Sequence, residues 1–242
     1  MTKTIVVASG KGGTGKTSVT AGAGCALAKL GFKCLLVDAD AGMQSLDMAL
    51  GVCEDAVFDF SDVVKGNVSL EDAAVPVEDF PGAFVLAAPS NLDRIEGNTL
   101  RTLVHEAKNK YDFVLIDAPA GIGRGFVSAA RAANSALVVA TPDPICLRSA
   151  EKCARRLEEE GVGKTTIVVN RVRRDFIRHG LPNLDDMIDG SATRLLGYVP
   201  EDDKITYCGA EGKSILLYPK KKASRAFMNI AKRISGEHVP LL

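Results

Sequence analysis

A glycine-rich loop near the start of the chain constrains its fold more than any other feature. The loop runs from Gly10 to Thr17, follows the apolar run Thr4–Ala8 and precedes the small-residue stretch Ser18–Leu30. Glycines let consecutive backbone N–H groups turn toward phosphate oxygens, and the N-terminus of the following helix adds about half a positive charge. This order of strand, loop and helix predicts a site for a nucleoside triphosphate. The predicted phosphate-binding residues are Gly10, Lys11, Gly12, Gly13, Thr14, Gly15, Lys16, Thr17 and Ser18.

Three side chains of the loop can be given separate expectations. Lys16 is expected to reach the β- and γ-phosphates, and the Thr17 hydroxyl is expected to ligate magnesium. Lys11 is a second lysine that the basic phosphate-loop pattern does not require. The loop therefore predicts Mg²⁺ as the cofactor that accompanies the triphosphate.

The same glycines also fit the dinucleotide-binding fingerprint of dehydrogenases. Gly10, Gly12 and Gly15 have its spacing, and the acidic Asp38 follows about twenty residues later. A dinucleotide loop has no use for a Lys-Thr pair after its last glycine, whereas a triphosphate with magnesium does. A second acidic strand end, Asp117, would complete a phosphate-plus-metal site. We therefore favour the triphosphate over the dinucleotide, and both over a purely structural glycine turn.

Composition limits the class of protein. The chain has 242 residues, of which 46% are hydrophobic and 25% charged, as expected of one globular α/β unit. Thirty basic and thirty acidic residues cancel, so no long-range charge favours nucleic acid or an anionic membrane. The six cysteines include no C-x-x-C pair, and we see neither a leader nor an apolar run long enough to cross a bilayer. We expect a cytoplasmic protein with reduced cysteines.

Short apolar runs alternate with helical stretches along the whole chain. This alternation predicts an α/β fold in which helices cover both faces of a mostly parallel sheet, with residues 1–242 as a single domain. The predicted strands are Thr4–Ala8, Lys33–Val37, Ala83–Ala87, Phe113–Ile116, Ala136–Ala140, Thr166–Val169 and Leu195–Val199. The predicted helices are Ser18–Leu30, Leu92–Asn109, Phe126–Ala133, Ser149–Glu160, Leu184–Ile188 and Lys221–Ser235.

Polar or special residues follow most of these strands. Ligands of such sheets bind at the carboxyl ends of the strands, so these residues outline one candidate site. They are Ser9, Asp38, Asp117, Thr141, Asn170 and Pro200.

Asp38 and Asp40 follow the second predicted strand, and Asp117 follows the fourth. Their carboxylates suit Mg²⁺, which prefers a few hard oxygen ligands from protein. Thr17, Asp38 and Asp117 are the candidate metal residues, with Asp117 the best of them. Asp40 is a candidate for orienting the attacking water, which makes Lys11, Lys16 and Asp40 the candidate catalytic residues. The alternative is that the aspartates only cap the next loop.

Other segments have weaker signals. The glycine-rich run 121–125 is suited to sensing the γ-phosphate, or is an ordinary connection. Asn170 could pair with the edge of a purine base and Arg171 could stack on its face. The remaining candidates for the base pocket are Pro200, Glu201 and Asp202.

Two basic regions of the sequence are candidate binding surfaces. The cluster Arg171, Arg173, Arg174 and Arg178 is more consistent with a solvated or protein-contact surface than with nucleic acid, because acidic residues lie close by. At the other end, apolar residues recur at helical spacing from Phe227 to Ile234 with lysines around them. We favour a last core helix over a helix that lies on a membrane surface.

The loop with its early Lys11 resembles the deviant Walker A motif of the MinD/ParA family of ATPases, and the resemblance extends over nearly the whole chain. The pattern is closer to the MinD branch, chiefly through Pro-Ala-Gly-Ile at 119–122 and Asn-Arg at 170–171. Further segments resemble the first switch (38–40 and 45–47), the Walker B motif with second switch (117–122) and the adenine pocket (169–171 and 199–203).

The resemblance implies an ATP-driven cycle of dimerisation. ATP would bring two subunits together, Lys11 of each would reach the partner's phosphates, and hydrolysis would return monomers. Asp40 would help to position the water. The implied ligands are ATP and Mg²⁺, and the implied partners are a second copy of the chain and the cell-division proteins that place the septum. The implied location is the cytoplasm and the inner face of the plasma membrane; nucleic acid is not expected.

Two departures from the family pattern matter. Ser45 stands where the first switch usually has asparagine, and the chain stops at residues 236–242 where MinD continues into an amphipathic membrane-targeting helix. Direct membrane tethering of that kind is therefore not expected, unless a partner or the segment Phe227–Ile234 supplies it. Two kinds of alternative function remain. Within the same fold, the chain could be a ParA-like partition ATPase or a relative of the ATPases for flagellar placement or metallocentre insertion. In a different class, it could be a nucleotide-dependent binding module with negligible turnover.

Overall fold

Eight strands form one sheet within residues 2–41, 43–89, 98–173 and 193–241, the part of the chain that the computed structural model describes. Their order is β3-β4-β2-β5-β1-β6-β7-β8, and every neighbouring pair is parallel except β3 with β4. The strands are β1 (Lys3–Ala8), β2 (Cys34–Asp38), β3 (Val75–Pro76), β4 (Ala83–Leu86), β5 (Phe113–Asp117), β6 (Ser135–Ala140), β7 (Thr165–Val172) and β8 (Arg194–Pro200).

Helices pack on both faces of this sheet, and β1 shows how one strand serves the two sides. Ile5 and Val7 pack in the core with α1 and α9, while Val6 and Ala8 pack in the core with α5, α6 and α7. The predicted fold class is confirmed. The helices are α1 (Lys16–Lys29), α2 (Leu46–Ala49), α3 (Phe60–Val64), α4 (Leu70–Ala73), α5 (Thr99–Ala107), α6 (Arg124–Ala132), α7 (Pro144–Glu159), α8 (Asp203–Ala210) and α9 (Lys222–Ser235).

All seven predicted strands are present, but the short strand β3 and the four helices α2, α3, α4 and α8 were not predicted, and the start of α7 was placed too late. β3 was missed, since it has two residues and no periodic pattern. α7 begins at Pro144 rather than Ser149, because the Asp143 carboxylate accepts a hydrogen bond from the N–H of Cys146 at 2.9 Å and caps the helix there. α8 was missed as well; the Asp202 carboxylate caps it by accepting from the N–H of Lys204.

Two of the predicted helices lie partly or wholly outside the described residues. They are the start of Leu92–Asn109 and the whole of Leu184–Ile188. The interpretation of the C-terminal segment as a core helix is confirmed, since Phe227, Ile230 and Ile234 of α9 are all buried in the core that α1 also lines. Those side chains are not exposed to a membrane surface.

The close approach of α1 to α9 provides a test of this packing. A Cβ on Gly22 would lie 2.7 Å from two atoms of the Phe227 ring. We expect Gly22→Ala to lower the free energy of unfolding by about 1–2 kcal/mol, because overpacking outweighs the gain in helix propensity. Urea unfolding followed by circular dichroism measures the change.

Gly209 is the matched control for that substitution. It also lies in a helix, α8, but a Cβ there would meet nothing within 4 Å. Gly209→Ala should therefore raise stability by up to about 1 kcal/mol. Equal responses at the two positions would contradict the tight α1–α9 contact.

Candidate functional site

The glycine-rich loop joins β1 to α1 at the carboxyl edge of the sheet. Gly15 caps α1 with φ +87°, a left-handed conformation that side-chain-bearing residues rarely adopt. Gly10 packs against α7, since a Cβ there would lie 2.2 Å from the carbonyl oxygen of Ser149. A Cβ on Gly13 would instead meet nothing within 4 Å, so the outer side of the loop is open.

The Thr17 hydroxyl and the Asp117 carboxylate meet beside this loop. Thr17 Oγ1 donates to Asp117 Oδ2 at 2.6 Å, and Thr20 Oγ1 donates to Asp117 Oδ1 at 3.2 Å. Ser45 Oγ lies 3.2 Å from Thr17 Oγ1. A helix and the end of the adjacent β5 strand therefore place a hydroxyl and a carboxylate together, as the sequence predicted for Thr17 and Asp117.

Asp38 lies next to Asp117, because the two residues are register partners in the β2–β5 pair. Its carboxylate accepts backbone hydrogen bonds from Asp40, Ser45 and Leu46 at 2.9–3.0 Å. Asp38 thus holds the segment that leads from β2 into α2, and both of its oxygens already have donors.

Burial makes this pair of carboxylates electrostatically unusual. Asp38 and Asp117 are 0% and 1% exposed. Burial, with the neighbouring Asp38 charge adding to it, raises the pKa of Asp117 to about 7, although Thr17, Lys16 and Thr20 act in the opposite direction. Burial likewise raises the pKa of Asp38, against its backbone hydrogen bonds. A divalent cation would relieve this accumulation of negative charge.

The donor set fits Mg²⁺ with a triphosphate. Thr17 Oγ1 and Asp117 are hard oxygen donors side by side, and Lys16 is buried next to them at 9% exposure. The Thr14 hydroxyl is buried within the loop and has no hydrogen-bond partner among the described residues. An unsatisfied buried hydroxyl beside an open glycine-rich loop fits a site that binds an anion.

The other predicted residues of the loop and first switch differ in exposure. Lys11 is exposed, and its carbonyl oxygen accepts from the Ser9 hydroxyl at 2.8 Å. Asp40 is half-buried, and its N–H contacts Asp38. Ser18 is half-buried in the first turn of α1.

The predicted base pocket needs one correction. Asn170 and Arg171 do not follow their strand but lie inside β7, which extends to Val172. Arg171 has φ +58°, and the pairing of β7 with β8 shifts between Val169 and Val172, so a local irregularity allows the strand to continue. Asn170 is buried and touches the loop: its Nδ2 donates to the carbonyl oxygen of Thr14 at 2.8 Å.

At the β8 side of that pocket, residues that follow β8 contact the end of β7 through a backbone hydrogen bond and an ion pair. Pro200 ends β8 opposite Val172, and the N–H of Glu201 donates to the Val172 carbonyl oxygen at 3.1 Å. The Glu201 carboxylate lies 3.7 Å from Arg173, and Asp202 caps α8. Arg174 and Arg178 of the basic cluster lie outside the described residues.

Sequence reasoning missed two contributors to the site. Thr20 is the second donor to Asp117, and its place one helical turn after Thr17 could have revealed it. The carbonyl of Ser149, against which Gly10 packs, could not have been found because it depends on how α7 meets the loop.

Clustered metal ligands or a membrane-spanning helix among the described residues would indicate other classes of function. No three His, Cys, Asp or Glu side chains there converge to hold a metal. No helix in the same ranges has the length and apolar character needed to span a bilayer. All six cysteines are free thiols, and only Cys53 is exposed.

Comparison with known proteins gives full-length matches. A family described as "ParA: NUBPL iron-transfer P-loop NTPase" matches residues 1–235. The septum site-determining protein MinD of Synechocystis sp. is 37% identical over 246 aligned residues, which cover 100% of this chain and 92% of that protein.

Solved structures agree with the sequence comparison. MinD in the MinC:MinD cell division complex of Aquifex aeolicus matches with a TM-score of 0.92 and 37% identity, covering 99% of this chain and 98% of that one. MinD of Pyrococcus horikoshii, complexed with Mg-ADP, matches with a TM-score of 0.87 and 32% identity over 98% of this chain and 97% of that one. The glycine-rich loop, the adjacent carboxylates and these matches along the whole chain together show that it belongs to the MinD/ParA family of P-loop NTPases.

Proposed function

We propose that this chain is a MinD-like ATPase that acts as a nucleotide-controlled switch in the placement of the cell-division site. The observation that carries the proposal is the contact of Thr17 with Asp117 beside an open phosphate loop, in a chain similar to MinD along its whole length. The relative from Pyrococcus horikoshii is complexed with Mg-ADP, which supports the same class of ligand here.

The proposed roles follow the geometry of the loop. Lys16 and the backbone N–H groups of the loop bind the phosphates, and Thr17 with Asp117 holds Mg²⁺, which when bound neutralises phosphate charge. Asp38 acts beside the metal by fixing the segment from Asp40 to Leu46, and Asp40 orients the attacking water. Because Ser45 contacts both Thr17 and Asp38, this segment is placed to respond to the ligand.

The proposed partners are a second copy of the chain and a cell-division protein. The relative from Aquifex aeolicus is found in a MinC:MinD complex, which supports a partner of that kind. Membrane association stays part of the proposal but would have to use residues other than the buried apolar face of α9. Metallocentre insertion is not proposed, because the chain has no C-x-x-C pair and a single exposed cysteine.

Lys11 gives the sharpest test of the dimer. Its side chain is exposed, so a second subunit can approach it. We expect Lys11→Ala to keep ATP binding within about threefold while losing ATP-dependent dimerisation and lowering turnover about a hundredfold, as for a lost transition-state contact. Equilibrium ATP binding, size-exclusion chromatography with ATP·Mg and steady-state phosphate release measure the three properties.

Lys164→Ala is the matched control. Lys164 is also exposed but precedes β7 at the opposite edge of the sheet. It should behave like the unaltered chain in all three assays. Undiminished turnover in Lys11→Ala would rule out the cross-dimer role, and an unaltered chain that binds ATP without turnover would favour the nucleotide-dependent binding module.

A further inference from the structure

The amide of Asn170 reaches the phosphate loop from a distant part of the chain. The bond from its Nδ2 to the carbonyl oxygen of Thr14 is 2.8 Å long and joins residues 156 positions apart. The packing is close, because a Cβ on Gly15 would lie 2.3 Å from the same Nδ2. Asn170 is 4% exposed, so water does not readily replace the bond if it is lost.

The backbone of β7 is shaped at this point. Arg171 has φ +58°, in the left-handed region that non-glycine residues rarely enter, and the pairing with β8 shifts across the same residues. Irregularities of this kind re-aim side chains beside functional sites. Here the side chain next to the irregularity is the one that touches the loop.

We infer that Asn170 is a positioning residue that clamps the phosphate loop in its binding shape. The inference rests on the proposed function only in that the loop binds phosphate. The bond fixes the direction of the Thr14 carbonyl, whose oxygen would repel an anion if it turned into the phosphate site. It uses one of the two N–H groups of the amide.

The other end of the amide takes no part in the clamp. Within the described residues Oδ1 accepts no hydrogen bond. The clamp therefore depends on the NH₂ group alone, and replacing that group while keeping the size of the side chain should remove it.

Substitutions at Asn170 test the clamp. Asn170→Leu keeps the size of the side chain and removes the donor without adding a charge, whereas Asn170→Ala removes the side chain beyond Cβ. The ligands are the magnesium complexes of inorganic tripolyphosphate, which has no base, and of ATP, and isothermal titration gives each affinity. Asn134→Ala is the control, since Asn134 also anchors backbone, by accepting from the N–H of Thr4, but does so at the far edge of the sheet.

The clamp predicts a specific pattern of losses. Both Asn170 variants should bind tripolyphosphate about tenfold or more weakly, because each loses one buried hydrogen bond next to the phosphate site. Because the clamp acts on the phosphate loop, ATP affinity should fall by a similar factor in both variants. Unchanged tripolyphosphate affinity with weaker ATP binding would overturn the clamp and leave Asn170 as a reader of the base alone.

A second measurement is independent of nucleotide. In the ligand-free chain, hydrogen exchange of the amides of residues 11–17 should be faster in both Asn170 variants than in the unaltered chain and in Asn134→Ala. Equal exchange would also overturn the clamp. An unaltered chain that binds no nucleotide would defeat the proposed function, while the exchange result would still decide the clamp.

Discussion

Lys16→Ala is expected to lose ATP turnover by about a hundredfold to a thousandfold, the range seen when one preorganised charge-stabilising group is removed. Lys16 is 9% exposed and lies close enough to the buried Asp117 carboxylate to act against the rise in its pKa, so solvent would not replace the positive charge of Lys16. Without it, the site would present net negative charge to a triphosphate. ATP binding should therefore weaken together with turnover, and phosphate release with equilibrium ATP binding measures both.

The comparison with Lys11 sharpens this expectation. Lys16→Ala should lose binding and turnover, whereas Lys11→Ala should keep binding and lose turnover with dimerisation. Lys164→Ala again serves as the surface control. ATP affinity in Lys16→Ala within threefold of the unaltered chain would contradict the assignment of Lys16 to the phosphates.

Asp117→Asn is expected to stabilise the ligand-free chain while removing its response to magnesium. The folded-state pKa of Asp117 is raised to about 7 from 3.8. A raised carboxyl pKa means that the folded chain binds the proton more tightly than the unfolded chain, so stability falls as pH rises from about 4 to 7 and stays lower above that. Removing the charge should recover on the order of 2–4 kcal/mol at pH 8.

Thermal unfolding at pH 5 and pH 8, with and without Mg·ADP, measures both effects. The variant should melt above the unaltered chain at pH 8, the difference should shrink at pH 5, and only the unaltered chain should gain stability from magnesium beyond that from ADP alone. Asp112→Asn is the control, since Asp112 lies at the opposite edge of the sheet, where it accepts from the N–H of Lys33. A less stable Asp117→Asn chain at pH 8 would show that the hydrogen bonds of Asp117 outweigh its burial.

The fold was predictable where the physics is local or repetitive. Strands buried on both faces leave continuous apolar runs, which is why seven were found, and the loop of Gly10–Thr17 has a fixed spacing set by phosphate geometry. β3 is too short to leave a pattern. The early start of α7 had a signal in Asp143 followed by Pro144, which cap and begin a helix.

Candidate residues for the site could be named from the sequence, but their contacts could not. Asp38 and Asp117 could be expected to meet because parallel strands end at one edge of the sheet. The donors that occupy Asp38, the register shift at Arg171 and the reach of Asn170 to Thr14 depend on how distant elements pack. Sequence patterns report periodicity and spacing, and they contain no signal for such long-range contacts.

The distance along the chain between Thr14 and Asn170 has a consequence for synthesis. The loop leaves the ribosome 156 residues before the amide that holds it. At roughly 5–20 residues per second this interval lasts about 8–30 s. A nascent chain halted before β7 would therefore contain the complete GKGGTGKT segment, yet its nucleotide pocket would lack one wall until Asn170 had been synthesised.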